Sequence, residues 1–146
     1  MNRSSLPVSV NTMKKWFESD DKVLQCTLPF QRHSGMWSSI LKSNLVWSML
    51  ADSYIPPIVL LKDKRGEDSK GKDIFGYQVL EGQQRLITTL FPFLNDEWTL
   101  HGSVEPVEVD RFTYDIAAKK YSELDQQVQE LIKYYRVTVQ AIDYYT

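Results

Sequence analysis

A change of hydrophobic period in the middle of the chain restricts its fold more than any other feature. In the run Tyr77-Gln78-Val79-Leu80-Glu81-Gly82-Gln83-Gln84-Arg85-Leu86-Ile87-Thr88-Thr89-Leu90, the first half reads as a strand through Tyr77, Val79 and Leu80. The second half puts Leu86, Ile87, Leu90 and Phe91 at helical spacing. Gly82 stands at the change of period, where a strand must turn sharply into a helix. A helix starting there presents the backbone N–H groups of its first turn, from Gln83 to Arg85, outside the intrahelical ladder. Those donors, the positive end of the helix dipole and the Arg85 guanidinium can converge on one anion. A missing Cβ at Gly82 would let a phosphate approach the backbone closely. A plainer account is equally available: Glu81 as a helix cap, Gln83 and Gln84 as helix formers, and Arg85 as a surface charge.

The totals set outer limits. A length of 146 residues suits one domain, taken as 1–146, with a real core. The 42% hydrophobic and 25% charged content is that of an ordinary globular chain. A net charge of −2 gives no general attraction to nucleic acid, so any DNA contact needs a local patch or another segment. The single cysteine, Cys26, excludes an internal disulfide and fits a reducing, cytoplasmic setting. No apolar run approaches the roughly 20 residues that span a bilayer, and no signal-peptide core is read at the N-terminus, so no membrane partner is expected.

Periodicity predicts the remaining elements. Residues 1–10 read as an arm or a first short strand, and Asn11 or Thr12 can cap a helix carrying Met13, Trp16 and Phe17. Residues 23–28 read as a short strand in which Cys26 is a small filler with no basic neighbour to lower its pKa. A loop follows, then a helix over 36–52 whose buried stripe is Trp37, Leu41, Leu45 and Met49, widened by Val46, Trp47 and Leu50. The continuous apolar run Ile58-Val59-Leu60-Leu61 suggests a strand covered on both faces. Residues 62–73, with five basic and four acidic side chains, read as a solvated, mobile hairpin or loop. Pro92 weakens the helix after Leu90, and Asn95-Asp96 ends it. Short β pieces are expected at 98–100, 107–109 and 112–113, with Trp98 as core, rim or a base-stacking ring. Ser122-Glu123-Leu124-Asp125 approximates a capping box for a helix burying Leu124, Val128, Leu131, Ile132 and Tyr135. Residues 136–143 close as a strand, with Val137, Val139 and Ala141 alternating against Thr138 and Gln140. The expected class is α/β (α+β): a small mixed sheet with helices packed around it.

The string Glu-Gly-Gln-Gln-Arg-Leu-Ile-Thr-Thr-Leu resembles the Asp-Gly-Gln-Gln-Arg-Leu-Thr-Thr-Leu signature of the GmrS-like N-terminal domain of modification-dependent (type IV) restriction enzymes and related anti-phage proteins. That family is distantly related to the ParB/sulfiredoxin fold. Leu28-Pro29-Phe30-Gln31-Arg32, followed by Trp37, resembles its Pro-x-Gln-Arg…Trp element, and Lys120-Tyr121-Ser122-Glu123-Leu124 a third stretch. The matches run in family order from Val23 to Ile142. The Gly-Gln-Gln-Arg string is specific, and the other two are weak alone. The family's later Phe-x-x-Leu-Asn-like helix is missing, so the chain is expected to be an N-terminal fragment or a short member. Sulfiredoxins carry a cysteine at the phosphate turn; none stands at Gln83 to Arg85, which disfavours redox chemistry.

The resemblance implies an NTP-binding domain, using GTP or ATP with Mg²⁺, that governs DNA cleavage by a separate segment. Its nucleotide-binding set is Gln31, Arg32, Gly82, Gln84, Arg85 and Thr88. Its catalytic set is Glu81, Gln83 and Gln84. Glu81 suits a phosphate site only if it holds Mg²⁺ through water or accepts hydrogen bonds from ribose or base, and an uncharged amide can orient an attacking water. Glu81 departs from the family's Asp, and the extra methylene moves the carboxylate by about 1.5 Å. That bears on hydrolysis more than on binding. The alternatives are a ParB-like DNA-binding module and an interaction scaffold with a degenerate nucleotide site. A nuclease activity in this chain is not expected: it carries no His-Asn-His pattern, and its histidines, His33 and His101, have no metal-binding spacing.

Overall fold

The computed structural model describes residues 3–26 and 37–143. The protein is an α+β fold whose chain gathers into two compact units. A sheet unit takes residues 1–30, 56–83 and 136–146; a helical unit takes 31–55 and 84–135.

The sheet unit is a five-stranded mixed sheet in the order β1-β7-β3-β4-β2. Its strands are β1 (Arg3–Ser9), β2 (Leu24–Gln25), β3 (Ile58–Glu67), β4 (Asp73–Glu81) and β7 (Arg136–Asp143). β7 follows its alternation: Val137, Val139 and Ala141 are buried while Arg136 and Thr138 face solvent. It lies between antiparallel β1 and parallel β3. Pro7 sits on β1, the edge position where a residue without an N–H is tolerated. β1 runs directly into α1 (Val10–Glu18), so the cap is Ser9 rather than Asn11 or Thr12. The Ser9 hydroxyl accepts the Thr12 N–H at 3.1 Å, and Met13 is buried. Trp16 stacks on Tyr77 with ring centroids 5.4 Å apart.

β3 departs from the sequence reading in its apolar run. Only Ile58 and Leu60 of its apolar run are buried, while Val59 and Leu61 are half-covered. The charged stretch 62–73 takes the hairpin form rather than the loop: β3 continues to Glu67, β4 begins at Asp73, and only 68–72 turns. Lys64 bridges Asp73 across the ribbon at 3.1 Å and Glu67 on its own strand at 3.3 Å. The Asp68 carboxylate closes the turn by accepting the N–H groups of Lys70 (2.8 Å) and Lys72 (2.9 Å). A backbone ladder forms whatever the side chains, so a ribbon without an apolar face leaves no periodic signal.

The helical unit contains α2 (Ser39–Leu50), a helical stretch entered through α3 (Gln83–Arg85), and α5 (Gln126–Lys133). The stretch continues as a π-helical segment, Leu86–Leu90, and then α4 (Phe91–Leu94). Phe91 N–H bonds the Leu86 carbonyl, the five-residue step of a π turn, immediately before Pro92. The wider turn carries the chain past a proline that would clash with an ordinary helical carbonyl. Asn95 caps the end, as expected, and Asp96 has φ +60°. On α2 the buried residues are Ser43, Leu45, Val46, Met49 and Leu50, while Leu41 is 52% exposed. Leu45, Val46, Met49 and Leu50 follow the expected stripe; Ser43 joins them, its hydroxyl donating to the Ser39 carbonyl (2.7 Å) and accepting the His101 N–H (2.9 Å).

β5 (Val107–Val109) and β6 (Phe112–Tyr114) form a hairpin whose turn residues, Asp110 and Arg111, have φ +50° and +73°. Residues 98–100 are not strand. The Trp98 indole N–H instead donates to the Thr89 carbonyl at 2.8 Å. A 3₁₀ turn over Tyr121–Glu123 precedes α5. The Glu123 carboxylate accepts the Lys120 N–H at 2.8 Å, while Asp125, not Ser122, caps α5 by accepting the Gln127 N–H at 2.9 Å. Leu124, Val128 and Ile132 are buried under α5; Leu131 is exposed and Tyr135 half-buried. Among the described residues no helix is long and apolar enough to cross a membrane.

Candidate functional site

The strand–glycine–helix junction forms where the period changes. β4 ends at Glu81, Gly82 has φ +109°, and helical backbone begins at Gln83. The chain passes between the two units here: Glu81, Gly82 and Gln83 belong to the sheet unit, Gln84, Arg85 and Thr88 to the helical unit.

In the sheet unit Glu81 is exposed and lies opposite Val59 in the β3–β4 register. Gln83 turns its amide nitrogen back to the Val79 carbonyl at 3.4 Å. Gly82 corrects one expectation. A Cβ added there would overlap the Ile58 side chain, which is itself 1% exposed. The side of Gly82 from which a missing Cβ would admit a phosphate is therefore filled, and the glycine is required by its φ and by Ile58. An anion at this junction must come along the N–H direction of the first helical turn.

In the helical unit, the Gln84 side-chain oxygen accepts from the Thr88 hydroxyl at 2.9 Å and from the Trp37 N–H at 3.4 Å. The same hydroxyl stands 2.8 Å from the Gln84 carbonyl, the back-bond of a helical threonine. Arg85 is half-buried. Gln84 and Thr88 thus come together, and Trp37, read from sequence as a core residue, joins them through its backbone. Gln31, Arg32 and His33 lie outside the described residues.

The topology of the sheet bears on what could gather here. β2 runs parallel to β4, with Leu24 beside Tyr77 and Gln25 beside Gln78, and the Gln78 amide donates to Gln25 at 3.2 Å. Both strands finish at the same end of the sheet. In open sheets, ligands collect beyond the carboxyl ends of parallel strands. Cys26 follows β2 at this end, and burial pushes its thiol pKa up, so it stays protonated rather than becoming a thiolate nucleophile.

Other candidates resolve into structural roles. Trp98 packs on Phe93, centroids 4.8 Å apart, and carries Lys42 Nζ 5.2 Å above its ring, so its faces are engaged within the protein. His101 Nδ1 accepts the Ser103 N–H at 3.0 Å. Arg65, in the stretch expected to be a solvated hairpin or loop, is held at 2.6 Å by Asp63 and donates to the carbonyls of Lys22 (2.7 Å) and Tyr77 (3.2 Å). The sequence signal for this contact was Gly76, directly before Tyr77 on β4, where a missing side chain leaves room for something to lie on the strand. Among the described residues no group of three or more His, Cys, Asp or Glu side chains is placed to hold a metal ion. No family model, curated protein or solved structure matches this chain.

Proposed function

We propose that residues 81–88 are the polyphosphate-binding element of an NTP-binding domain, taking GTP or ATP with Mg²⁺. In a bacterial restriction or anti-phage system such a domain would regulate DNA cleavage by a separate segment. The observation that carries this reading is local: a strand ends, one residue turns through left-handed space, and helical backbone starts at the next residue. That arrangement suits an anion, because the first-turn N–H groups and the helix dipole point at the same place. The resemblance of the Gly-Gln-Gln-Arg string supports the choice of nucleotide over a simpler anion, and the shared end of β2 and β4 supports the location.

Glu81 fits the accompanying metal. Mg²⁺ keeps several waters and takes one or two carboxylates together with substrate phosphates, and Glu81 offers one exposed carboxylate beside the turn. Binding is better supported than hydrolysis. Gln83 is bonded to Val79 and Gln84 to Thr88, so either amide must leave its partner before it orients water. Calorimetric titration with GTP and ATP in the presence of Mg²⁺ tests the proposal. Arg85→Ala should weaken the nucleotide at least about tenfold, the loss expected for a charge-assisted hydrogen bond. Unchanged affinity would refute the assignment.

A scaffold reading is favoured by one fact: Ile58 accounts for Gly82 without any ligand. Absence of binding heat with either nucleotide selects it. DNA binding is the weaker alternative at a net charge of −2, and it would reveal itself by a steep loss of affinity with salt.

A further inference from the structure

A cleft of about 300 Å³ opens in the helical unit, lined by none of the residues assigned above. One wall is a face of α2, where Ile40, Asn44 and Trp47 stand one helical turn apart. The other is the loop carrying His101, whose Nδ1 accepts the Ser103 N–H, with Ser103, Val104 and Glu105. Two tethers fasten that loop to α2. The fully buried Ser43 hydroxyl accepts the His101 N–H at 2.9 Å, and the Trp47 indole N–H donates to the Glu105 carbonyl at 3.1 Å. The walls are thereby held apart at a set spacing.

The chemistry of the walls selects an occupant. Because the indole N–H is engaged by Glu105, what Trp47 offers the cleft is its ring. Ile40, 48% exposed, and Val104 offer apolar surface. The Glu105 carboxylate supplies the formal charge, and the nearest lysine on α2, Lys42, is drawn to the Trp98 ring instead. A carboxylate beside an aromatic face repels anions and attracts organic cations, and aliphatic stems of such cations lie readily on apolar side chains. We propose that this cleft binds an alkylammonium or guanidinium group on a short aliphatic stem. The stem lies on Ile40 and Val104, and the charge sits between the Glu105 carboxylate and the Trp47 ring. Asn44 and Ser103 accept its remaining N–H groups.

Agmatine, titrated into isotope-labelled protein and followed by amide NMR, tests this, with pentanol as the uncharged control. Agmatine should shift the Trp47 indole and the Val104 and Glu105 amide signals saturably, and pentanol should not. Glu105→Gln keeps the shape, lies on the surface, and should weaken agmatine at least about tenfold while the rest of the spectrum stays in place. A Gly-Arg-Gly peptide amide forms the second arm: tighter binding than agmatine assigns the cation to a protein side chain, weaker binding to a free amine. No saturable shift with either cation, equal affinity in Glu105→Gln, or equal shifts with pentanol would overturn the proposal.

Discussion

Gly76, inside β4, and Gly82, one residue beyond its end, both face a neighbour that leaves no space for a Cβ, but the neighbours differ in kind. Over Gly76 lies the guanidinium of Arg65, the far end of a flexible side chain, which bonds two carbonyls and a carboxylate. Over Gly82 lies Ile58, packed in the core of the sheet unit. Gly82 also sits at φ +109°, where L side chains are strained, whereas Gly76 has no such constraint. Two glycines six positions apart thus carry unlike demands. One makes room for a polar staple that can be withdrawn; the other is held by backbone and core together.

Substitutions can break or sharpen that contrast. Gly82→Ala should have the largest effect, about 2–5 kcal/mol of lost stability in chemical denaturation. Left-handed strain of about 1–2 kcal/mol adds to overpacking of about 1–3. Ile58→Val deletes the atom nearest the new Cβ and alone should cost about 1 kcal/mol. Combined with Gly82→Ala it should cost less than the sum by about 1 kcal/mol, and strict additivity would show that Ile58 is not the obstacle. Gly76→Ala should cost less, about 1–2 kcal/mol, by pushing the guanidinium off the Lys22 and Tyr77 carbonyls. On an Arg65→Ala background the same substitution should fall below about 0.5 kcal/mol; a larger value would mean that strand geometry, not Arg65, requires this glycine. Arg65→Lys should be the mildest, below about 1 kcal/mol, because it keeps the charge but loses the fork that spans three acceptors.

What was legible in the sequence follows from which forces leave a pattern. β7 could be read residue by residue because burial on one face imposes alternation on Val137, Val139 and Ala141. The junction at Gly82 was legible because two periods meet there. The outer half of the β3–β4 ribbon was legible only as hairpin or loop, since it is held by backbone bonds, Lys64 and Arg65 rather than by an apolar face. On α2 the buried Leu45, Val46, Met49 and Leu50 were legible, but the burial of Ser43, satisfied by Ser39 and His101, and the exposure of Leu41 were not, because apolar counting assigns serine to the surface. Caps slipped by a few residues for a related reason: Ser9 and Asp125 cap their helices in place of Asn11 or Thr12 and of Ser122, because which polar residue caps depends on where the preceding element stops. Of the candidate site, the backbone turn followed from the change of period, whereas Gln84 and Thr88 were grouped only by the resemblance. The filling of the space beside Gly82 by Ile58 followed from neither, because it depends on pairing between strands distant in sequence.

The most direct measurement is an amide NMR titration of the protein with GTP and Mg²⁺, repeated on Arg85→Ala. If the junction binds polyphosphate through its first helical turn, the Gly82 and Gln83 amide signals move saturably in the parent and barely in the variant. If those two signals stay in place at nucleotide concentrations that saturate or fail to affect the rest of the spectrum, the junction is a structural turn and the nucleotide reading is wrong.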